Sequence, residues 1–194
     1  MASPELPELL VDDVHAWHDW LLANHATSDG VWLVLHKKGG DVTTLTYADA
    51  LDEALCSGWI DGQVAKRDDG SYVQRMTPRR TGSRWSARNV ERAERLREEG
   101  RMRPEGQAAI DAAVANGEWA RAYAGSASAS VPHDLQQAID AVPAAARTFS
   151  TASAANRYAV IYRVEATKTA KGRAQCIERL VAKMATGELP HPQG

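Results

Sequence analysis

Read for its hydrophobic positions, the chain becomes regular at Val14. Val14, Trp17, His18, Leu21, Leu22 and His25 recur at three- and four-residue spacing, one stripe of a helix that Asp12 or Asp13 caps. Past Gly30 the pattern changes to VWLVLHKK (Val31 to Lys38), apolar on both faces and rich in β-branched and aromatic residues, as in a central strand covered on both sides. Gly39-Gly40-Asp41 ends that run. Thr46, with Asp49 three residues later, resembles a capping box and opens a helix through Leu51, Ala54 and Leu55 to Gly58.

WIDGQVAKR, Asp68-Asp69-Gly70 and SYVQRMTP then read as a β-hairpin with Gly70 in the left-handed position of a three-residue loop. With Arg67 opposite Ser71, Ile60, Val64, Tyr72 and Met76 fall on one face, expected to be buried, and Asp61, Gln63, Arg75 and Thr77 on the other. Ser86 is the expected N-cap of a helix holding Val90, Ala93 and Leu96 and stopped by Gly100; Pro104 opens another that carries Ile110, Ala113 and Val114 to Asn116-Gly117. GSASAS (Gly125 to Ser130) is small and polar, and three helical stretches follow, over about 132–141, 152–166 and 169–186. The expected fold class is α+β: a domain over 1–124 with a small antiparallel sheet of about three strands packed with helices, a linker at 125–131, and an all-helical C-terminal unit over 132–194.

Composition narrows the class. With 44% hydrophobic and 25% charged residues the chain is neither disordered nor a disulfide scaffold, and with no run of 18 apolar residues it is not expected to insert in a membrane. Its start has neither a basic region nor an apolar core, so no signal peptide is expected, and the two cysteines, Cys56 and Cys176, point to reduced thiols in a cytoplasmic protein. Charge is unevenly spread: residues 1–74 hold 13 acids and 4 bases, whereas 75–103 hold 10 arginines and 4 glutamates. Either that arginine tract pairs internally with the acidic first segment or it meets an anionic partner.

The candidate chemistry lies around that tract. Arg79 and Arg80 precede a helix whose N-terminus carries Ser83, Ser86 and Asn89, so planar guanidinium forks and orphan backbone N–H groups converge as they do on anions, and Trp59 and Trp85 offer walls for a planar ligand. Asp61 reads as a general base or ligand acceptor, or as the fixed partner of an arginine from the Pro78-Arg79-Arg80 segment. Cys56, at the electronegative end of a helix with no histidine in its motif, reads as a packed thiol, with nucleophile as the alternative. His15 and His18, with His25 and Asp19 on the same helix, lack an identifiable third ligand, so no metal is assigned, and no cofactor is implied. Glutamates interleaved through 87–99 disfavour nucleic acid as the partner.

LCSGWIDG (Leu55 to Gly62), PRRTGSRWSARN (Pro78 to Asn89), GRM-x-P-x-G (Gly100 to Gly106) and VPHDLQQAI (Val131 to Ile139) occur in that order. With them the chain resembles the bacteriocin-protection, YdeI or OmpD-associated family, from Trp20 to about Leu189. The family name implies stress resistance and a porin partner, and it brings no assigned reaction or catalytic residues. A porin partner requires export, which the N-terminus does not support. Three readings of function follow. The first is a stress-related binding protein with an anion-accepting cleft formed by Trp59, Asp61, Arg79, Arg80, Ser83, Trp85, Ser86 and Asn89. The second is an enzyme acting on a small anion with Asp61 or Cys56 catalytic, and the third a scaffold whose C-terminal helices dock another protein.

Overall fold

The computed structural model describes residues 6–192, which form two compact units, the first ending at Ala122 and the second starting at Tyr123. In the first, β1 (Glu8–Leu9), α1 (Val14–Asn24), β2 (Val31–His36), α2 (Tyr47–Cys56), β3 (Trp59–Lys66), β4 (Ser71–Pro78), α3 (Ala87–Glu98) and α4 (Pro104–Ala115) follow in sequence. The caps are those the residue types favour: Asp13, Thr46 and Ser86 each accept from the backbone N–H three residues on. The second unit is helical, with α5 (His133–Asp140), α6 (Pro143–Thr151), α7 (Ala154–Glu165) and α8 (Ala170–Ala185). It packs Leu135, Ile139, Phe149, Val160, Leu180 and Met184 into one core. The class is α+β with a helical C-terminal part. No helix among the described residues is long and apolar enough to cross a membrane.

The sheet runs β1-β2-β4-β3, with β2, β4 and β3 antiparallel as expected. It gains a fourth strand, because the two-residue β1 lies parallel to β2 and makes the sheet mixed. Two details of the hairpin differ from the sequence reading. Gly70 does not adopt a positive φ; Asp68 instead makes the turn by accepting from the N–H groups of Gly70 and Ser71 at 2.9 and 2.7 Å. The expected register holds from Lys66 opposite Tyr72 to Val64 opposite Gln74, but Asp61 lies opposite Met76, so Gly62 and Gln63 together face Arg75 as a β-bulge. The buried Gln74 side chain donates to the carbonyls of Gly62 and Gln63 at 2.9 and 3.3 Å, satisfying groups that the bulge takes out of the ladder. The bulge moves Asp61 to the face of Met76 and leaves Ile60 with Thr77 and Arg75. Val64, expected in the core, is 63% exposed because it lies on the edge strand beyond the helical cover, and Tyr72 is half-buried.

Helix α2 sits between two cores. Ala50 and Ala54 pack with Trp17, Leu21, Leu33 and Met76 on the sheet side, while Leu51, Leu55 and Cys56 pack with Trp85, Leu96 and Ile110 on the other. The approach of α4 to the end of α2 depends on two glycines. A Cβ on Gly106 would lie 2.5 Å from the Cys56 carbonyl oxygen and 2.7 Å from that of Leu55. Gly58, at φ +71, would put one 2.8 Å from the Glu105 carbonyl oxygen.

Buried on both flanks, α2 still carries Asp52 and Glu53, each only 7% exposed. The arginine tract supplies their counter-charges. Arg92 and Arg95 hold Asp52, the latter at 2.7 Å, and Arg101 and Arg103 donate to the two oxygens of Glu53 at 2.8 and 2.9 Å. Nδ1 of His18 lies 2.9 Å from Glu53 as well. Arg103 also donates to the Glu53 carbonyl and the Ser57 hydroxyl, placing a cation at the negative end of α2. Burial alone would raise the Glu53 pKa, but hydrogen bonds from His18, Arg101 and Arg103 outweigh it and hold the carboxyl at about 2, below its ordinary 4.5.

Two predictions follow from this packing. Gly106→Ala puts its new carbon against backbone, which no rotamer change relieves, so urea unfolding should show a loss of roughly 1–3 kcal/mol; unchanged stability would mean that α4 is not held against α2 by this contact. Because the Glu53 pKa is depressed in the fold, its contribution is fully present above about pH 4.5. It is lost as pH falls towards 2, on the order of 3 kcal/mol in all. Glu53→Gln should flatten that acid limb and cost on the order of 3 kcal/mol at pH 7, since the partly buried Arg103 guanidinium is left without its carboxylate.

Candidate functional site

Leaving α2, the chain turns through Ser57 and Gly58 into β3, and Arg79 returns to the same place by donating its backbone N–H to the Gly58 carbonyl at 2.9 Å. These two segments and α4 enclose a cleft of about 310 Å³. Gly58 and Trp59, the three alanines Ala108, Ala109 and Ala112 of α4, and the loop from Arg79 to Ser83 line it. At one end His25 Nε2 lies 3.3 Å from a carboxylate oxygen of Glu105.

The loop is ordered by its own groups. The Arg79 guanidinium lies over the Trp85 ring at 3.5 Å and donates to the Arg84 carbonyl at 3.3 Å. Arg80 donates its N–H to the Ser83 hydroxyl at 3.1 Å, Ser83 returns a backbone bond to the Arg80 carbonyl at 2.9 Å, and Gly82 takes the left-handed φ of +85 that closes the turn. The Arg80 side chain is exposed, and no carboxylate among the described residues lies within 4.0 Å of it.

Five of the residues singled out in the sequence line this cleft: Trp59, Arg79, Arg80, Ser83 and Trp85. Three do not. Ser86 accepts from the Asn89 N–H at 3.2 Å, so this pair serves the start of α3. Asp61 accepts from the Tyr47 hydroxyl at 2.7 Å. The expected ion pair between Asp61 and an arginine of the Pro78-Arg79-Arg80 segment is therefore not formed, because the bulge carries Asp61 to the α2 side of the sheet. Burial, and the hydrogen bond to the Asp61 carboxylate, push the Tyr47 phenol well above its ordinary pKa. The indoles are also more committed than expected. Trp59 stands edge-on to Trp17 and Trp20, at 6.4 and 5.7 Å, and donates to the His25 carbonyl; Trp85 gives its face to Arg79 and meets Trp119 at 4.8 Å. Sequence reasoning missed the α4 wall, whose signal was the spacing of Ala108, Ala109 and Ala112.

The other candidates are held in packing. Cys56 is fully buried, and burial, reinforced by the negative charge of Glu53, pushes its thiol up to about 11. His18 faces Glu53 and His25 faces Glu105 and the Leu21 carbonyl. Among the described residues no group of three or more His, Cys, Asp or Glu is arranged to hold a metal ion.

Comparison with known families divides the chain at nearly the same place as its two units. Residues 9–109 match a family model described as "Domain of unknown function (DUF8412)", and residues 128–187 match "Bacteriocin-protection, YdeI or OmpD-Associated". The resemblance carried by the sequence motifs is thus borne out over 128–187, while LCSGWIDG and PRRTGSRWSARN fall in the other match. No curated protein and no solved structure matches the chain.

Cys56 and Cys176 are free thiols, both buried. Neither is expected to react with iodoacetamide at pH 8 in the folded protein, and both should react once urea unfolds it. Labelling of Cys56 within minutes without denaturant would contradict the burial described above and restore it as a nucleophile.

Proposed function

The chain belongs to the family defined by that domain of unknown function and carries a C-terminal domain of the bacteriocin-protection, YdeI or OmpD-associated family, and since neither membership brings a reaction, we propose a function from the cleft: the N-terminal unit binds a small anion that carries a planar group. The observation that carries this reading is Arg80, whose backbone is fixed by Ser83 at the mouth of an alanine-walled cleft while its guanidinium has no carboxylate beside it. Arg79, laid on Trp85, adds positive charge to the same rim. Alanines lining one cleft with a guanidinium suit a ligand with a flat body and a charged end, and a volume of about 310 Å³ lies at the lower bound of small-molecule sites. Binding is favoured over catalysis because neither Asp61 nor Cys56 lines the cleft.

The test is a thermal-shift series at constant ionic strength with phosphate, sulfate, benzoate and nucleotides. A ligand that binds only the folded protein raises its melting temperature by mass action, so wild type should shift with at least one of these anions. Arg80→Met should leave the ligand-free melting temperature within the range of a neutral surface change, about 0.5 kcal/mol, and should abolish the shift. A wild-type melting temperature that no anion moves beyond the effect of sodium chloride would overturn the proposal.

A further inference from the structure

A second cleft, of about 610 Å³, opens on the other side of the same lip; Pro78, Arg80 and Ser83 line both. Its distinctive wall is β4, where Arg75 and Thr77, two residues apart, present their side chains to the same side of the sheet. The Arg75 stem lies beside Gly62 of β3, at 3.6 Å from where a Cβ there would sit. Arg92, Arg95, Arg101 and Arg103 are taken by the acids of α2, whereas Arg75, like Arg80, has no carboxylate within 4.0 Å among the described residues. One acid, Asp29, lines the cleft with them.

Resting on the anion reading above, we infer that the ligand is a phosphate monoester of a planar group, a nucleoside monophosphate in its commonest form, with the planar part in the alanine-walled cleft and the phosphate across the lip between Arg80 and Arg75. Two guanidinium forks and the hydroxyls of Thr77 and Ser83 match the several oxygens of a phosphate better than the two of a carboxylate. Two arginines and one carboxylate, Asp29, line the cleft, so a monophosphate is met by both forks, while the further phosphates of a triphosphate find no third cation in its lining to pair with. Arg80, common to both clefts, joins the two halves of the site.

The experiment is calorimetric titration of the full chain at constant ionic strength with AMP, GMP, CMP, UMP and phenyl phosphate, beside the parent nucleosides, inorganic phosphate and ATP. At least one monophosphate is expected to bind tenfold or more tightly than its nucleoside and than inorganic phosphate, and no less tightly than ATP. Arg75→Met should weaken that monophosphate at least tenfold without changing nucleoside binding. Arg75→Lys, which keeps the charge and loses the fork, should fall between and serves as the readout if the methionine variant does not fold. The inference is overturned if no monophosphate binds, if ATP binds more tightly than AMP, or if Arg75→Met binds like wild type. Anion binding that is lost in Arg80→Met and intact in Arg75→Met would leave the simpler anion reading standing alone; no anion binding at all would remove both.

Discussion

Two adjacent carboxylates, Asp52 and Glu53, lie on a helix buried from Ala50 to Cys56, and the N-terminal unit is arranged around neutralising them. Ionised groups with so little water must be met by charge and hydrogen bonds, or the fold would have to hold them protonated. Asp52 is met from α3 and Glu53 from the segment between α3 and α4, with His18 of α1 closing the remaining side. These contacts draw α1, α3 and the start of α4 onto α2. The glycines at 58 and 106 then allow α4 to approach α2 at backbone distance. Removing one carboxylate therefore weakens more than a pair: it loosens the docking of the helix whose alanines wall the cleft.

The same neutralisation sorts the arginine tract by role. Four members are committed to α2 and one, Arg79, to Trp85, while Arg75 and Arg80 reach the two clefts that share a lip. An arginine-rich segment on an acidic background thus serves two ends at once. Four of its ten arginines neutralise buried acids and two line the larger cleft, while Arg88 and Arg97 stand exposed on α3.

Short-range signals carried far in this chain. Thr46, Ser86, Gly100 and Pro104 sit at the helix boundaries their chemistry favours, and the hairpin register was legible from Val64 to Tyr72 because alternation alone sets it there. What escaped was fixed at long range or by side chains acting on backbone. The bulge has no local marker beyond Gly62; it is stabilised by Gln74 from the facing strand, and with it the side taken by Asp61 changed. Gly70 lost its expected conformation because Asp68 made the turn. Helix α6 was hidden by Val142-Pro143, which reads as an ending but supplies the Pro favoured in the first turn of a new helix. The opposite charge of the first segment and the arginine tract announced that they would pair, while the choice of Asp52 and Glu53 among 13 acids depended on contacts 40 to 50 residues apart.

The bulge at Gly62 and Gln63 also bears on how this strand tolerates change in length. A strand's side chains alternate strictly, so one residue more or less exchanges the faces of everything beyond it. Here the bulge absorbs the extra residue and so keeps Asp61, turned towards Tyr47 and the helices, apart from Arg75, turned the other way. A regular ladder through the same residues would set Asp61 opposite Thr77 and bring acid and base onto one surface, where each would quench the other, whereas loss of one of the two bulge residues would leave Asp61 opposite Met76. The charge layout of this face therefore tolerates the loss of the extra residue together with its bulge, but not the loss of the bulge alone.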